Sequence, residues 1–506
     1  TSRAIPPKQR RMTHPQDHTL PTRAGALTST IWAAAGALAR YALAGITTLI
    51  LARLLAPADF GLVALTVAAQ ELIGHVAPIG LHDALIQRPH LDRAAQNAAW
   101  WSTLAVSGAL TLVAIALAAP IARWFEQPRL APLLGAVALA AFVRALSMPA
   151  RAVLARRLDF RTPTLIRILG MVIGGGLAIA LAALGAGAWS LVAQTAALHL
   201  TGTLLIARIA GWRPGRPTRA ALRELWAFAP SVSAFTVLAY LTANADDQLI
   251  GYRLGAQALG YYALAYSVMA WPVRDVLGGV AVVFYPVLAR FQADPPRLRA
   301  ILLEGLQLSA LFAFPTLTLI AMAAPPVVPW LLGARWQPIV LAVQILAIGG
   351  LRDATMMLNG VVYRAVGRPH LHLMLALAST PCYLVAFWIG LRWGIEGVAF
   401  FYVLTGWLLH PISWWLLSRT VALPLHDWLA ALAPAAGGTA LAALAGALAF
   451  RALSTIDPLA DGPALALSVL IAAAVYAGAI LVWHPPAVWR NASALGRLVR
   501  QRLVRT

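Results

Sequence analysis

The chain is a succession of apolar stretches, each about as long as a bilayer is thick, separated by short charged or Gly/Pro-rich breaks. A helix needs about 20 mostly apolar residues to cross the hydrocarbon core. The stretches predict spans at 28–52, 60–80, 96–119, 131–150, 163–184, 188–209, 226–250, 259–285, 300–323, 338–362, 371–391, 395–417, 429–450 and 464–483, about fourteen in all. Together they fill nearly the whole chain and leave no room for a large soluble domain. Only 11% of the residues are charged, against about a quarter in a soluble globular chain. The expected fold class is an all-α polytopic membrane protein.

A net charge of +21 would suggest nucleic acid on a soluble chain. Here the arginines sit in short loops between apolar runs, where they read as topology signals and contacts to anionic lipid. Arg88, Arg93, Arg151, Arg156, Arg157, Arg161, the run from Arg208 to Arg223, Arg290, Arg297, Arg299, Arg364, Arg368 and Arg419 fall on one side, with both basic tails. The opposite loops hold Arg53, Arg123, Arg129, Arg253, Arg335, Arg392 and Arg451. The positive-inside rule then puts both termini in the cytoplasm and makes the span count even. Residues 1–27 read as a basic, disordered tail with no signal peptide ahead of the first span. Residues 485–506 read as a basic amphipathic helix on the cytoplasmic leaflet. The lone Cys382 lies in an apolar run and is expected to be a small buried core residue, since no Cys/His zinc spacing accompanies it.

The chain repeats itself. RLLAPADFGLVAL begins at Arg53 and RLGAQALGYYAL at Arg253, so that Arg53, Leu54, Ala56 and Ala58 match Arg253, Leu254, Ala256 and Ala258. With one gap, Gly61 matches Gly260. At nearly the same offset, Arg144, Ser147, Met148 and Arg156 match Arg352, Thr355, Met356 and Arg364. Two independent matches at one offset predict two six-helix bundles, 28–224 and 225–427, pseudo-repeated in the same orientation and followed by two extra helices in 428–484. Secondary transporters are commonly built this way, with the substrate site between the halves.

The segments LARLLAPADFGLVAL, GLHDALIQRPHLD, NAAWWSTL, ADDQLIGYRLGAQALGYYALAY and FYPVLARFQADPPRLR resemble the polysaccharide-transporter (Wzx-type) branch of the MOP flippase superfamily, over about residues 28–420. The resemblance implies a flippase that moves a polyprenyl-diphosphate-linked oligosaccharide repeat unit to the periplasmic leaflet for O-antigen, capsule or exopolysaccharide synthesis. It implies two bundles around a hydrophilic cavity that rock between two states. The partners it implies are an undecaprenyl-diphosphate-linked oligosaccharide, membrane lipids, and polymerase and chain-length or export proteins. No cofactor is implied, and no Walker-type loop occurs.

Charge inside a membrane costs about 2.5–3.5 kcal/mol on insertion scales and tends to mark function. A diphosphate cargo needs cations, preferably guanidinium forks. Arg40 (span 1) and Arg274 (span 8) are the leading candidates to line the cavity and bind diphosphate or acidic sugar. The repeat-related Arg144 and Arg352 belong to the same set, with Arg352–Asp353 also readable as a structural ion pair. Snorkelling to headgroups is the alternative for Arg144 and Arg167. Asp246, which aligns with the family's acidic position, and Asp247 are candidates for ion coupling or for a gate. Glu71 and His75, four apart on one helix face, read as a proton relay or as a satisfied polar pair. Tyr240, Tyr266 and Tyr363 are the aromatic candidates for stacking on sugar. Trp100, Trp101, Trp330, Trp336, Trp414 and other tryptophans at span ends read as an interfacial belt. The rivals are a MATE-like multidrug extruder, which should carry fewer cavity arginines, and a membrane glycan polymerase or ligase. The outer loops are too short for the second, and no nucleophile–base pair is visible, so an enzyme is not expected.

Overall fold

The structure, a computed structural model, describes residues 23–76, 85, 92–156, 161–210, 214–223, 226, 244–292, 294–456 and 461–483. Most of the expected span 7, with Tyr240, residues 1–22 of the N-terminal tail and the whole C-terminal tail lie outside the described residues. The described residues are helical almost throughout and contain no strand.

The first group of helices comprises α1 (Arg23–Leu54), α2 (Pro57–Glu71), a π turn (Leu72–Val76), α3 (Arg93–Trp124), α4 (Leu130–Leu146), α5 (Met148–Arg156), α6 (Arg161–Ala183) and α7 (Ala188–Ala210). The second comprises α8 (Ala245–Ala270), a π turn (Trp271–Val276), α9 (Leu277–Arg290), α10 (Pro295–Leu332), α11 (Ile339–Met356), α12 (Asn359–Ala365), α13 (Pro369–Gly390) and α14 (Gly394–Val421). α15 (Leu425–Ile456) and α16 (Asp461–Trp483) follow. Nine stretches of the described residues are long and apolar enough to cross a membrane. α2, with 15 residues, is too short to count among them. α8 is also outside the nine; it carries Asp246, Asp247 and Arg253 and is broken at Gly255, whose φ of 83° suits glycine.

Local chemistry sets the helix ends. Proline opens α2 and α10, where its missing N–H costs nothing. Asp92 caps α3 by accepting from the Ala95 amide at 2.8 Å. The repeat also shows in the breaks. Ser147 Oγ donates to the Arg144 carbonyl and Thr355 Oγ1 to the Arg352 carbonyl, each at 2.7 Å. Such back-bonding competes with the helix ladder, and both helices stop within a residue or two of it, at Leu146 and Met356.

In the first group α4 packs against α2, α3 and α7; in the second α11 packs against α8, α10 and α14. The two groups meet mainly along α2 and α8, and again where the end of α1 reaches α10. The largest buried cluster crosses that line: Leu62 and Leu65 pack with Ile250, Leu259 and Tyr262. α15 and α16 lie against each other and against α10.

Candidate functional site

The seam between the groups sits at the end of the molecule that carries the sparse arginine loops. It is built from the two copies of the repeated motif. A β carbon on Gly61 would collide with the Ala256 carbonyl and the Gly260 amide, and one on Gly260 with the Pro57 carbonyl and the Gly61 amide. Two backbones therefore touch at matched glycines, as small residues allow between membrane helices. Beside this contact each half caps the other. Arg53, in the last turn of α1, donates to the Trp330 and Leu331 carbonyls (2.5 and 2.7 Å), at the end of α10. Arg335 donates back to the carbonyls of Arg53 and of Leu55, the latter at 3.1 Å. The helix-end carbonyls carry partial negative charge, so both guanidiniums are well placed. Trp336 is fully buried there, donating from Nε1 to the Ala52 carbonyl at 2.8 Å and meeting Phe60 edge-on. The belt reading of Trp336 is thus corrected: its indole fills the seam, where a dry slot and the Ala52 carbonyl as acceptor coincide. Trp330, 74% exposed, fits a belt position.

Deeper in each group lies a charged pair. In the first, Arg144 Nη1 donates to Glu71 Oε1 at 2.8 Å, joining α4 to α2. Glu71 therefore has a partner on another helix; the His75 side chain lies outside the described residues. In the second, Arg352 pairs with the neighbouring Asp353 and donates from Nη1 to Tyr383 Oη at 2.8 Å. The Tyr402 hydroxyl donates to Asp353 Oδ2 at 3.3 Å. The guanidinium lies against Gly406, where any side chain would overlap it. Tyr266 bridges this set to a second one, with ring centroids 6.2 Å from both Tyr402 and Tyr262. The Tyr262 hydroxyl donates to Asp246 Oδ2 at 2.9 Å. Asp246 is thus linked through three tyrosine rings to Asp353.

The other expected residues are placed as follows. Arg40 is half-buried on α1, with no hydrogen bond or ion pair among the described residues. Arg274 lies in the π turn at Pro272, its side chain outside the described residues. Asp247 is half-buried beside Asp246. Tyr363 does not face a cavity: it is fully buried in a second apolar cluster with Leu358 and Leu417. Cys382 is exposed rather than buried, because its neighbour Tyr383 turns inward toward Arg352 and leaves it on the outer face. Sequence reasoning missed the roles of Arg335, Trp336 and Tyr402, whose signal was weak, since a loop arginine and a span-end tryptophan look like surface residues and a lone tyrosine within a span looks like packing.

Two cavities accompany these groups. One, about 460 Å³, lies between α2, α3, α4 and α8 and is lined by Leu65, Leu72, Trp124, Leu130, Gln248 and Tyr252. The other, about 440 Å³, lies between α10, α15 and α16, and its walls are almost wholly apolar, among them Leu319, Met322, Val469 and Tyr476.

Fold and buried charges define a polytopic helical protein with two halves joined at one end. The chain belongs to the family described as polysaccharide biosynthesis protein, whose profile matches residues 50–341. It is 25% identical over 308 residues to the succinoglycan biosynthesis transport protein ExoT of Rhizobium meliloti (strain 1021), covering 60% of this chain and 62% of ExoT, somewhat less than two thirds of that protein's length. It is 24% identical to the lipopolysaccharide biosynthesis protein WzxC of Escherichia coli (strain K12), covering 69% of each chain. Among solved structures it shares its fold with the lipid II flippase MurJ in an inward closed conformation, with a TM-score of 0.71 at 14% identity over 90% of this chain and 99% of that one.

Proposed function

We propose that the protein is a flippase for a polyprenyl-diphosphate-linked oligosaccharide, carrying it from the cytoplasmic to the periplasmic leaflet of a bacterial inner membrane. The observation that carries this reading is the set of arginines held within the spans, at Arg40, Arg144, Arg274 and Arg352, in a chain whose relatives are named for polysaccharide transport and biosynthesis. Arginines within the spans suit an anionic cargo and suit the lipophilic cations of a multidrug extruder poorly. On this reading the arginine-rich end faces the cytoplasm and the glycine seam closes the periplasmic side. Bundles 28–224 and 225–427 rock about the seam, which opens once cargo is loaded. The apolar groove between α10, α15 and α16 takes the polyprenyl tail. Asp246, bonded to Tyr262, serves as gate or coupling carboxylate, with Asp247 beside it. Nothing in the mechanism requires the protein to make or break a covalent bond.

A deletion strain should accumulate a lipid-linked oligosaccharide, measurable by mass spectrometry, and lose surface polysaccharide. Arg40→Ala or Arg274→Ala should fail to restore export although the protein inserts normally. Normal export from both variants would remove the cavity role of these arginines. Unchanged export in the deletion strain, together with raised drug sensitivity, would favour the extruder reading.

A further inference from the structure

We propose that the cavity between α2, α3, α4 and α8 is a second isoprenoid site, which holds the head-proximal part of the carrier lipid at the periplasmic leaflet while Arg253 takes its diphosphate. That the lipid leaves there as transported cargo rests on the flippase reading; that an isoprenoid diphosphate binds does not.

The internal repeat gives the seam two equivalent flanks. Ala118, Pro120, Trp124, Arg129 and Pro132 match Ala324, Pro326, Trp330, Arg335 and Pro338 without a gap. Tyr252 and Arg253 likewise match Ala52 and Arg53. One flank is shut. Trp336 fills it and bonds the Ala52 carbonyl, while Arg53 and Arg335 cap helix ends across it. The other flank is built differently. Where the second half has Trp336 the first has Leu130, and Leu130 and Tyr252 line the cavity of about 460 Å³. Arg253 donates to no carbonyl among the described residues; it stacks instead, 4.7 Å from the Trp388 ring centroid and 5.7 Å from that of Tyr252. An apolar cavity costs stability, and this chain fills the twin position with one larger side chain. The open flank is therefore kept for a ligand.

Shape and lining select that ligand. The wall on α3 runs from Ala114 to Phe125, about 16 Å at the helical rise per residue. Leu65, Ala69 and Leu72 form the wall on α2 and its π turn. A largely apolar slot that follows a spanning helix suits a hydrocarbon chain lying along the bilayer normal. Beside it, α3 turns Leu112, Val113, Ile115 and Leu117 outward, each more than 40% exposed, so the slot adjoins the lipid-facing surface.

The rim suits an anionic head. Trp124 meets Tyr252 edge-on at 5.9 Å, and the row continues through Arg253 to Trp388. All four side chains are exposed, at the end of the molecule with the sparse arginine loops. Stacking holds the guanidinium by its face and leaves its N–H edge for phosphate oxygens. Glu126, next to Phe125, is exposed and forms no ion pair with Arg253.

The test uses the full chain in phosphatidylcholine nanodiscs with a benzophenone-bearing farnesyl diphosphate, crosslinked by light and mapped by mass spectrometry. Label is expected on the peptides of α3 and α8 that hold Ile121 and Leu249. Leu130→Trp, which copies the plug of the shut flank, should cut that label at least about tenfold, and the exposed Arg253→Gln about fivefold. Arg419→Gln, a guanidinium stacked at 4.3 Å on Trp415 at the other end of the molecule, should label as the wild type does. These results uphold the site whether or not a deletion strain accumulates glycan. Label confined to the groove between α10, α15 and α16, or to the spans of Arg40 and Arg274, overturns the proposal and leaves the flippase reading standing. Undiminished label in both Leu130→Trp and Arg253→Gln overturns it as well. So does equal competition by phosphatidylglycerol, since the slot would then be a general phospholipid contact.

Discussion

Gly260→Ala should abolish transport although it adds a single methyl group. Its β carbon falls on the Pro57 carbonyl and the Gly61 amide, which are main-chain atoms of a helix and cannot rotate away. Overpacking that side chains can relieve costs about 1–3 kcal/mol. Here the only relief is to move α8 off α2. The same argument holds for Gly61→Ala, which meets Ala256 from the other side. The seam also carries the buried Trp336 and the crossed caps of Arg53 and Arg335, so it should part as a unit. A shift of even 2 kcal/mol changes a two-state equilibrium about thirtyfold. In a Cys382→Ser background, Leu259→Cys reports the state of the seam, because Leu259 is fully buried in it. A membrane-impermeant maleimide added from outside should leave that cysteine almost unlabelled, and Gly260→Ala should make it react readily. Full transport with an unreactive cysteine in Gly260→Ala would mean that the matched glycines do not set the closed state.

Much of this was legible in the chain because the constraints are strong. An apolar stretch of bilayer length has one stable backbone state in lipid, so the helices follow from composition alone. The repeat follows from matching Arg53 to Arg253 and Arg144 to Arg352. What the match could not give is contact. That Gly61 and Gly260 press on each other is a property of how two copies dock, and a sequence offset carries no information about it. Side-chain direction was misread for the same reason. Cys382 was judged by the apolar run around it and Trp336 by its place at a span end, whereas burial is decided by which face of a helix meets another. Charge partners were the hardest to read. The carboxylate for Arg144 comes from Glu71, a helix away, and the four-residue spacing to His75 drew attention to a local partner instead. For Arg352 the adjacent Asp353 was visible, but Tyr383, Tyr402 and the space made by Gly406 come from two other helices.

That last site gives the second large effect. Asp353→Leu should destabilise the second helix group by about 3–5 kcal/mol, the usual penalty for leaving one half of a buried ion pair. Arg352 is only 9% exposed, and its remaining contacts, the Tyr383 hydroxyl and the Tyr402 ring, cannot neutralise it. Removing both charges is a different matter. Arg352→Met with Asp353→Leu replaces the pair with apolar groups of similar size, which elsewhere is neutral or stabilising. The double variant should therefore recover most of the melting temperature lost by Asp353→Leu, measured in the same detergent. Transport then separates two reasons for keeping the pair. If the pair only holds α11 to α13 and α14, the double variant should export polysaccharide. If the charges act during the cycle, through the line of tyrosines that joins Asp353 to Asp246, it should fold and fail to export. The second outcome is expected, because a membrane protein that needed only packing at this point could have filled it with leucine. A single Asp353→Leu variant as stable as the wild type would refute the premise that Arg352 depends on Asp353.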